Sequence, residues 1–240
     1  MKLFINTITL FFLIVISIGC QENVILKPPS ISPTLEPTED YSSPKYHKLT
    51  LSDLCKIGNN TSLELGSITI EDALASLDKY AEQITPSESI KGLYFIESDN
   101  NWYELFFYDG LLTGIYHPIK NTELALVDIV NSFGKPDKIY SRTKWLFGCE
   151  GDECVYEVKL IYNKIGLKVN ASGTENHPIE IKNNQYGIFL EPSLQVESVL
   201  CFIPNELDKY LLHAFPDPVR IDEKYLHDWP GFNKIIPVTP

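Results

Sequence analysis

No basic block or stripe interrupts this 240-residue chain: 20 Lys and Arg stand against 32 Asp and Glu, for a net charge of −12. Nucleic-acid phosphates demand clustered cations, so the shortage excludes that class of partner and also broad adsorption on anionic lipid. Zinc-site spacing is missing as well. The five cysteines form no C-x-x-C pair and have no histidine close in sequence, which removes the common four-ligand patterns, and no metal is expected. His47, His117, His177, His213 and His227 are scattered, and none belongs to H-E-x-x-H, to a G-x-S-x-G turn or to a C-G-x-C setting. Carboxylates are plentiful, at Glu97, Asp99, Glu150, Asp152, Glu153 and through the tail, yet no spacing singles out the facing pair that glycoside hydrolysis needs. No catalytic constellation and no cofactor emerge.

Long apolar runs are also scarce, and only one is present. Leu3 to Gly19 is broken only by Asn6, Thr7, Thr9 and Ser17, with Lys2 the sole charge before it. A spanning helix wants about 20 apolar residues and basic flanks. The shorter run here reads as a secretory signal over residues 1–19, with an uncleaved anchor as the alternative. Cys20 follows Ser17-Ile18-Gly19 directly, which resembles the lipobox of bacterial lipoproteins, with Ser17 where a leucine usually stands. That resemblance implies a diacylglycerol on Cys20, cleavage before it, and attachment through the lipid to the outer face of a bacterial membrane; plain secretion is the alternative. Residues 20–45 then form a tether. Lys27 to Pro44 holds five prolines among serines and threonines without an apolar period, so it cannot bury a face and stays extended.

About 190 residues remain from position 46 to 240, enough for one domain burying roughly 70% of its unfolded surface. With Cys20 set aside, Cys55, Cys149, Cys154 and Cys201 are an even set in an exported chain, which reads as disulfides with three connectivities open. Cys149 and Cys154 bracket the polar Glu150-Gly151-Asp152-Glu153 loop and are expected to pair locally. Cys55 and Cys201 would then close a loop of nearly the whole domain, worth on the order of 4 to 5 kcal/mol.

Periodicity predicts a helix over 70–84, opened by Thr69 and Asp72, with Ile70, Ala73, Leu74, Leu77, Tyr80, Ala81 and Ile84 on one stripe. Strand-like runs follow at 91–98, 102–108 and 111–117, the last two joined by Asp109-Gly110, a strong hairpin signal. The order then recurs. Asn121 or Thr122 would cap a helix carrying Leu126, Ile129, Val130 and Phe133, stopped by Gly134 and Pro136. Strands are expected at 139–146, 155–162, 166–171 and 195–203, with a further hairpin across Asn183-Asn184. A short helix at 206–215 and an irregular tail close the chain, with Trp229 to Phe232 folding back as a lid.

The expected fold is therefore α+β: two helix-plus-antiparallel-meander units, about 63–118 and 119–203, followed by a C-terminal helix and tail, 204–240. Gly66 and Thr69 ahead of the first helix, and Gly134 and Pro136 closing the second, resemble a module of known families. It is the helix-plus-antiparallel-sheet unit of small outer-membrane assembly lipoproteins and of β-lactamase-inhibitor-protein-like folds. More loosely, the Trp229-Pro230-Gly231-Phe232 ending is similar to uncharacterised bacterial lipoproteins. The resemblance implies a protein-binding or envelope-assembly role and brings no catalytic residue. Strand alternation puts Trp102, Glu104, Phe106 and Tyr108 on one face and Tyr103, Leu105 and Phe107 on the other. Either a second layer covers the first set, or Trp102, Phe106 and Tyr108 form an exposed surface for a partner. The expected function is a non-catalytic envelope lipoprotein binding a protein or surface component; a secreted hydrolase with an unrecognised site is the alternative.

Overall fold

The structure is a computed structural model describing residues 48–58, 63–119, 124–144, 149–150, 153–176, 178–182, 185–209 and 221–238. The signal, Cys20, the tether, the Asn121/Thr122 cap, the Asn183-Asn184 turn and most of the 206–215 helix lie outside those residues. Three short α-helices are described: α1 (Leu51–Cys55), α2 (Ile70–Leu77) and α3 (Leu126–Phe133). Strands dominate. The first four are β1 (Gln83–Pro86), β2 (Leu93–Ser98), β3 (Asn101–Tyr108) and β4 (Leu111–Pro118). After α3 come β5 (Lys138–Thr143), β6 (Cys149–Glu150), β7 (Glu153–Tyr162), β8 (Leu167–Asn176), β9 (Ile179–Lys182), β10 (Gln185–Phe189) and β11 (Val196–Phe202). The tail adds β12 (Leu226–His227) and β13 (Ile235–Val238). The molecule is mainly antiparallel sheet with few helices, an α+β protein in the coarse sense. Among the described residues no helix is long and apolar enough to cross a membrane.

Ten strands form one antiparallel sheet in the order β1-β2-β3-β4-β11-β8-β7-β5-β12, with β6 paired to β7 off that path. Asp109 (φ 53°) and Gly110 (φ 80°) make the tight turn between β3 and β4, with Tyr108 opposite Leu111. Positive φ at both central positions suits the right-handed twist of the flanking strands. A smaller sheet, β13-β10-β9, packs Ile188, Ile236 and Val238 into the main core.

The two faces of the large sheet are covered differently. On one face α2 sets Ala73 and Leu77 against Ile96, Tyr103, Leu105, Phe107 and Ile115. On the same side α1 and α3 set Leu54, Leu126 and Ile129 against Val158, Leu160, Leu167, Val169 and Val199. The His117 ring bridges α1 to β4, its Nε2 lying 2.6 Å from the Leu54 carbonyl oxygen. Over the other face Ile221 and Tyr225 lie in one cluster with Leu93, Phe106, Tyr140, Ile161, Leu200 and Phe202. Cys55, at the end of α1, is bonded to Cys201 in β11, with Cα atoms 5.7 Å apart. Cys154 is also in a disulfide, and its direct partner across the β6–β7 ladder is Cys149.

Three expectations need correction. The first helix ends at Leu77, not at position 84, and Ile84 instead pairs with Ile96 in the edge strand β1. Ile84 still packs on the cluster beneath α2, so the apolar period continues although the backbone has become extended, and Pro86 at a strand end on the sheet edge is tolerated. The second helix begins at Leu126 with Ala125 as its N-cap. Asp128 accepts the Ala125 N–H at 2.9 Å, satisfying an orphan donor from within the first turn, while Ala125 bridges to Gln195. The tail is not irregular throughout: β12 pairs with β5 and β13 with β10. Alternation explains β13, where Ile236 and Val238 are buried, Ile235 is exposed and Pro237 is only partly buried.

Candidate functional site

Polar side chains gather where the second face is left uncovered. Because residues alternate across a strand, β7 sends Val158 and Leu160 to the helix side and Glu157 and Lys159 to the other; β8 does the same with Val169 against Lys168 and Asn170. Ladder register then sets the rows. Ser198, Asn170, Lys159 and Tyr140 are successive partners across β11, β8, β7 and β5. One row along, Glu104 is opposite Tyr116, Tyr116 opposite Leu200, and Leu200 opposite Lys168. The result is a cleft of about 240 Å³ lined by Trp102, Glu104, Tyr116, Glu157, Lys159, Lys168, Asn170, Glu197 and Ser198.

Its charges are held at short range. Arg142 Nε donates to Glu157 Oε1, and Lys159 Nζ lies 3.5 Å from Glu157 Oε2. Lys159 also sits 4.3 Å from the centroid of the Tyr140 ring, an attraction between cation and aromatic face. At the rim Lys144 reaches Glu197 at 3.3 Å, and the Ser172 hydroxyl donates to the same carboxylate. The Asn170 amide donates to Ser198 Oγ at 2.6 Å. Asn170 Oδ1 is buried with no hydrogen-bond partner among the described residues. Such an acceptor is costly to leave unmade. Trp102 and Tyr116 form an aromatic wall, their rings 5.7 Å apart and tilted by 49°.

Burial perturbs these groups strongly. Lys168 is 1% exposed. Loss of solvent pushes its pKa well below the ordinary lysine value, and the Lys159 charge adds to the fall while Glu157 and Glu104 oppose it. Lys159 moves down for the same leading reason. Burial raises the Glu104 carboxyl, with Lys168 pulling the other way, and raises the Tyr116 hydroxyl. An ammonium and a carboxyl moved toward neutrality in one cleft is a common property of binding and catalytic sites.

Of Trp102, Phe106 and Tyr108, the set read from the sequence as a possible partner surface, only Trp102 reaches this cleft. It is 43% exposed. Phe106 is 4% exposed, buried under the C-terminal segment, so it offers a partner no surface. Tyr108 is exposed at the far end of β3 beside the Asp109-Gly110 turn, with Lys209 Nζ 6.0 Å from its ring centroid. Cys55 and Cys201 belong to the helix side and border a second cavity of about 290 Å³, whose lining is chiefly apolar. Among the described residues no cluster of three His, Cys, Asp or Glu could hold a metal ion.

Sequence reasoning placed Glu104 on the Trp102 face without giving it a role, and it did not bring Lys159, Lys168, Asn170 or Ser198 to that face. The signal was the alternation Glu157-Val158-Lys159-Leu160 and Leu167-Lys168-Val169-Asn170, which reads equally as a strand wetted on one side. Comparison with protein families, with curated proteins and with solved structures finds no match to this chain.

Proposed function

We propose that this chain is an exported, lipid-anchored envelope protein that does no chemistry and binds its ligand in the polar cleft. The observation that carries the reading is the cleft itself: buried Lys168, Asn170 with its unpartnered Oδ1, and the Trp102–Tyr116 wall all line one open space. Convergent, desolvated polar groups beside aromatic surface are what binding sites are built from. The signal-like run and Cys20 support the address. Strand order supports the finer reading of two related helix-plus-meander units, since β1 to β4 follow α2 in sequence order, while β11, β8, β7 and β5 return in reverse order beside them. On that reading the cleft straddles the join between the units.

A secreted hydrolase is the second reading, and one observation favours it. Glu104, raised by burial, shares the cleft with Glu157, which is paired to Arg142 and Lys159. Two carboxyl groups in unlike settings are how acid and base roles are divided. Two measurements separate the readings. Palmitate labelling should mark the wild-type chain and not Cys20→Ala, with only the former sedimenting with membranes. Chromogenic glycoside, ester and peptide substrates should all be left intact; turnover abolished by Glu104→Gln would establish the hydrolase instead.

A further inference from the structure

We propose that the cleft recognises a neutral sugar ring, a pyranose either free or at the end of a glycan. The inference deepens the binding role assigned above and rests on it. Charge balance comes first. The carboxylates and cations around the cleft already answer one another: Glu157 with Arg142 and Lys159, Glu197 with Lys144. An anionic ligand would meet Glu104, Glu157 and Glu197, and a cationic one Lys159 and Lys168, and at the closed end either would have to displace the Glu157–Lys159 pair, whose side chains are mostly out of solvent.

Hydroxyl groups need no such displacement, because each donates and accepts at once. The cleft offers both halves. Asn170 Oδ1 is an acceptor still lacking a donor, closed to solvent and met by a ligand once its side chain turns toward the cleft, and Glu104 adds a second acceptor on β3, three strands away in the same sheet. Ammonium groups at Lys159 and Lys168 supply donors.

The aromatic wall supplies what a small polyol without a ring face could not use. Trp102 is 43% exposed and tilts against Tyr116, and Phe95, opposite Glu104 on β2, is 39% exposed. An aromatic face carries negative quadrupole charge, and the C–H groups on one side of a pyranose are its weakly positive counterpart. Hydroxyls would then point inward to Asn170 and the lysines while the ring face lies on Trp102.

The test titrates the full-length purified chain with glucose, galactose, mannose, N-acetylglucosamine and their short oligomers, following tryptophan fluorescence and melting temperature. Glucuronic acid, glucose 6-sulfate and glucosamine serve as charged controls. At least one neutral sugar should quench saturably and raise the melting temperature. Trp102→Ala and Asn170→Leu should each weaken it about tenfold or more, the scale of one stacking contact or one buried hydrogen bond. Both variants should still unfold cooperatively. Monomers binding as tightly as oligomers would assign a free sugar, and a marked gain with oligomers would assign a glycan end. Saturation by a charged control alone would overturn the sugar while leaving the cleft as a binding site. Silence across the panel, or neutral-sugar binding untouched by both variants, would overturn the proposal outright. Hydrolysis of a bound glycan would keep the sugar and remove the claim that the protein does no chemistry.

Discussion

The central strands β7, β8 and β11 show two different surfaces built on one set of backbone hydrogen bonds. Toward the helices they place Val158, Leu160, Leu167, Val169 and Val199, all fully buried. Toward the cleft they place Glu157, Lys159, Lys168, Asn170 and Ser198. The first surface follows the usual rule that interiors are apolar and well packed. Its opposite breaks that rule at the middle of the sheet, where a lysine that is 1% exposed would be expected to weaken the fold. Departures of this kind are expected at functional sites, because a sequence selected for stability alone would replace them. The helix side stabilises the domain, and the cleft side draws on that stability.

That contrast can be broken from the helix side with the largest effects. Replacing both Cys55 and Cys201 by serine opens a loop that spans 146 positions and should cost about 4 to 5 kcal/mol, read as a lower urea midpoint. Leu160→Ala, which empties a fully buried site under α3, should cost about 2 to 5 kcal/mol by the same measurement.

On the cleft side the expected change is smaller and concerns pH. The folded state holds Lys168 below its ordinary value through burial. Between that lowered value and 10.5 the unfolded chain binds more protons than the folded one, so stability rises with pH across the window and is lost as pH falls through the folded-state value. Lys168→Met should therefore flatten the rise in urea midpoint as pH climbs toward 10.5. A residual slope from Lys159, shifted the same way, should survive. An unchanged slope would mean that Lys168 is better solvated than its burial indicates. Trp102→Ala should be the mildest change, costing about 1 to 2 kcal/mol, since the ring is partly exposed yet packs on Tyr116. Ligand binding is the property it should lose.

Legibility in the sequence followed the range of the interaction. The β3–β4 hairpin was readable because Asp109-Gly110 specifies its own turn, and the Cys55–Cys201 bond because four cysteines read as disulfides leave only three arrangements. Helix α2 was read too long because Ile84 contributes to the same core from a strand that a helix position would have served. The Ala125 cap was missed since an alanine carries no capping side chain and its N–H is satisfied from Asp128. The cleft was hidden for a deeper reason. Glu104 and Lys168 meet only because β4 pairs with β11 and β11 with β8, and no local pattern in either segment announces pairings that distant.

The bond between α1 and β11 also changes how the molecule would carry a pull. Tension applied at residue 48 and resisted at residue 238 passes from Cys55 through sulfur to Cys201, so the covalent path skips the 145 residues between them. Helices α2 and α3 and strands β1 to β10, Glu104 and Lys168 among their residues, sit on a slack branch. A chain tugged by its amino end would load α1, the end of β11 and the tail through covalent bonds, and would reach the pocket only through the hydrogen bonds that tie β11, β12 and β13 to their neighbouring strands.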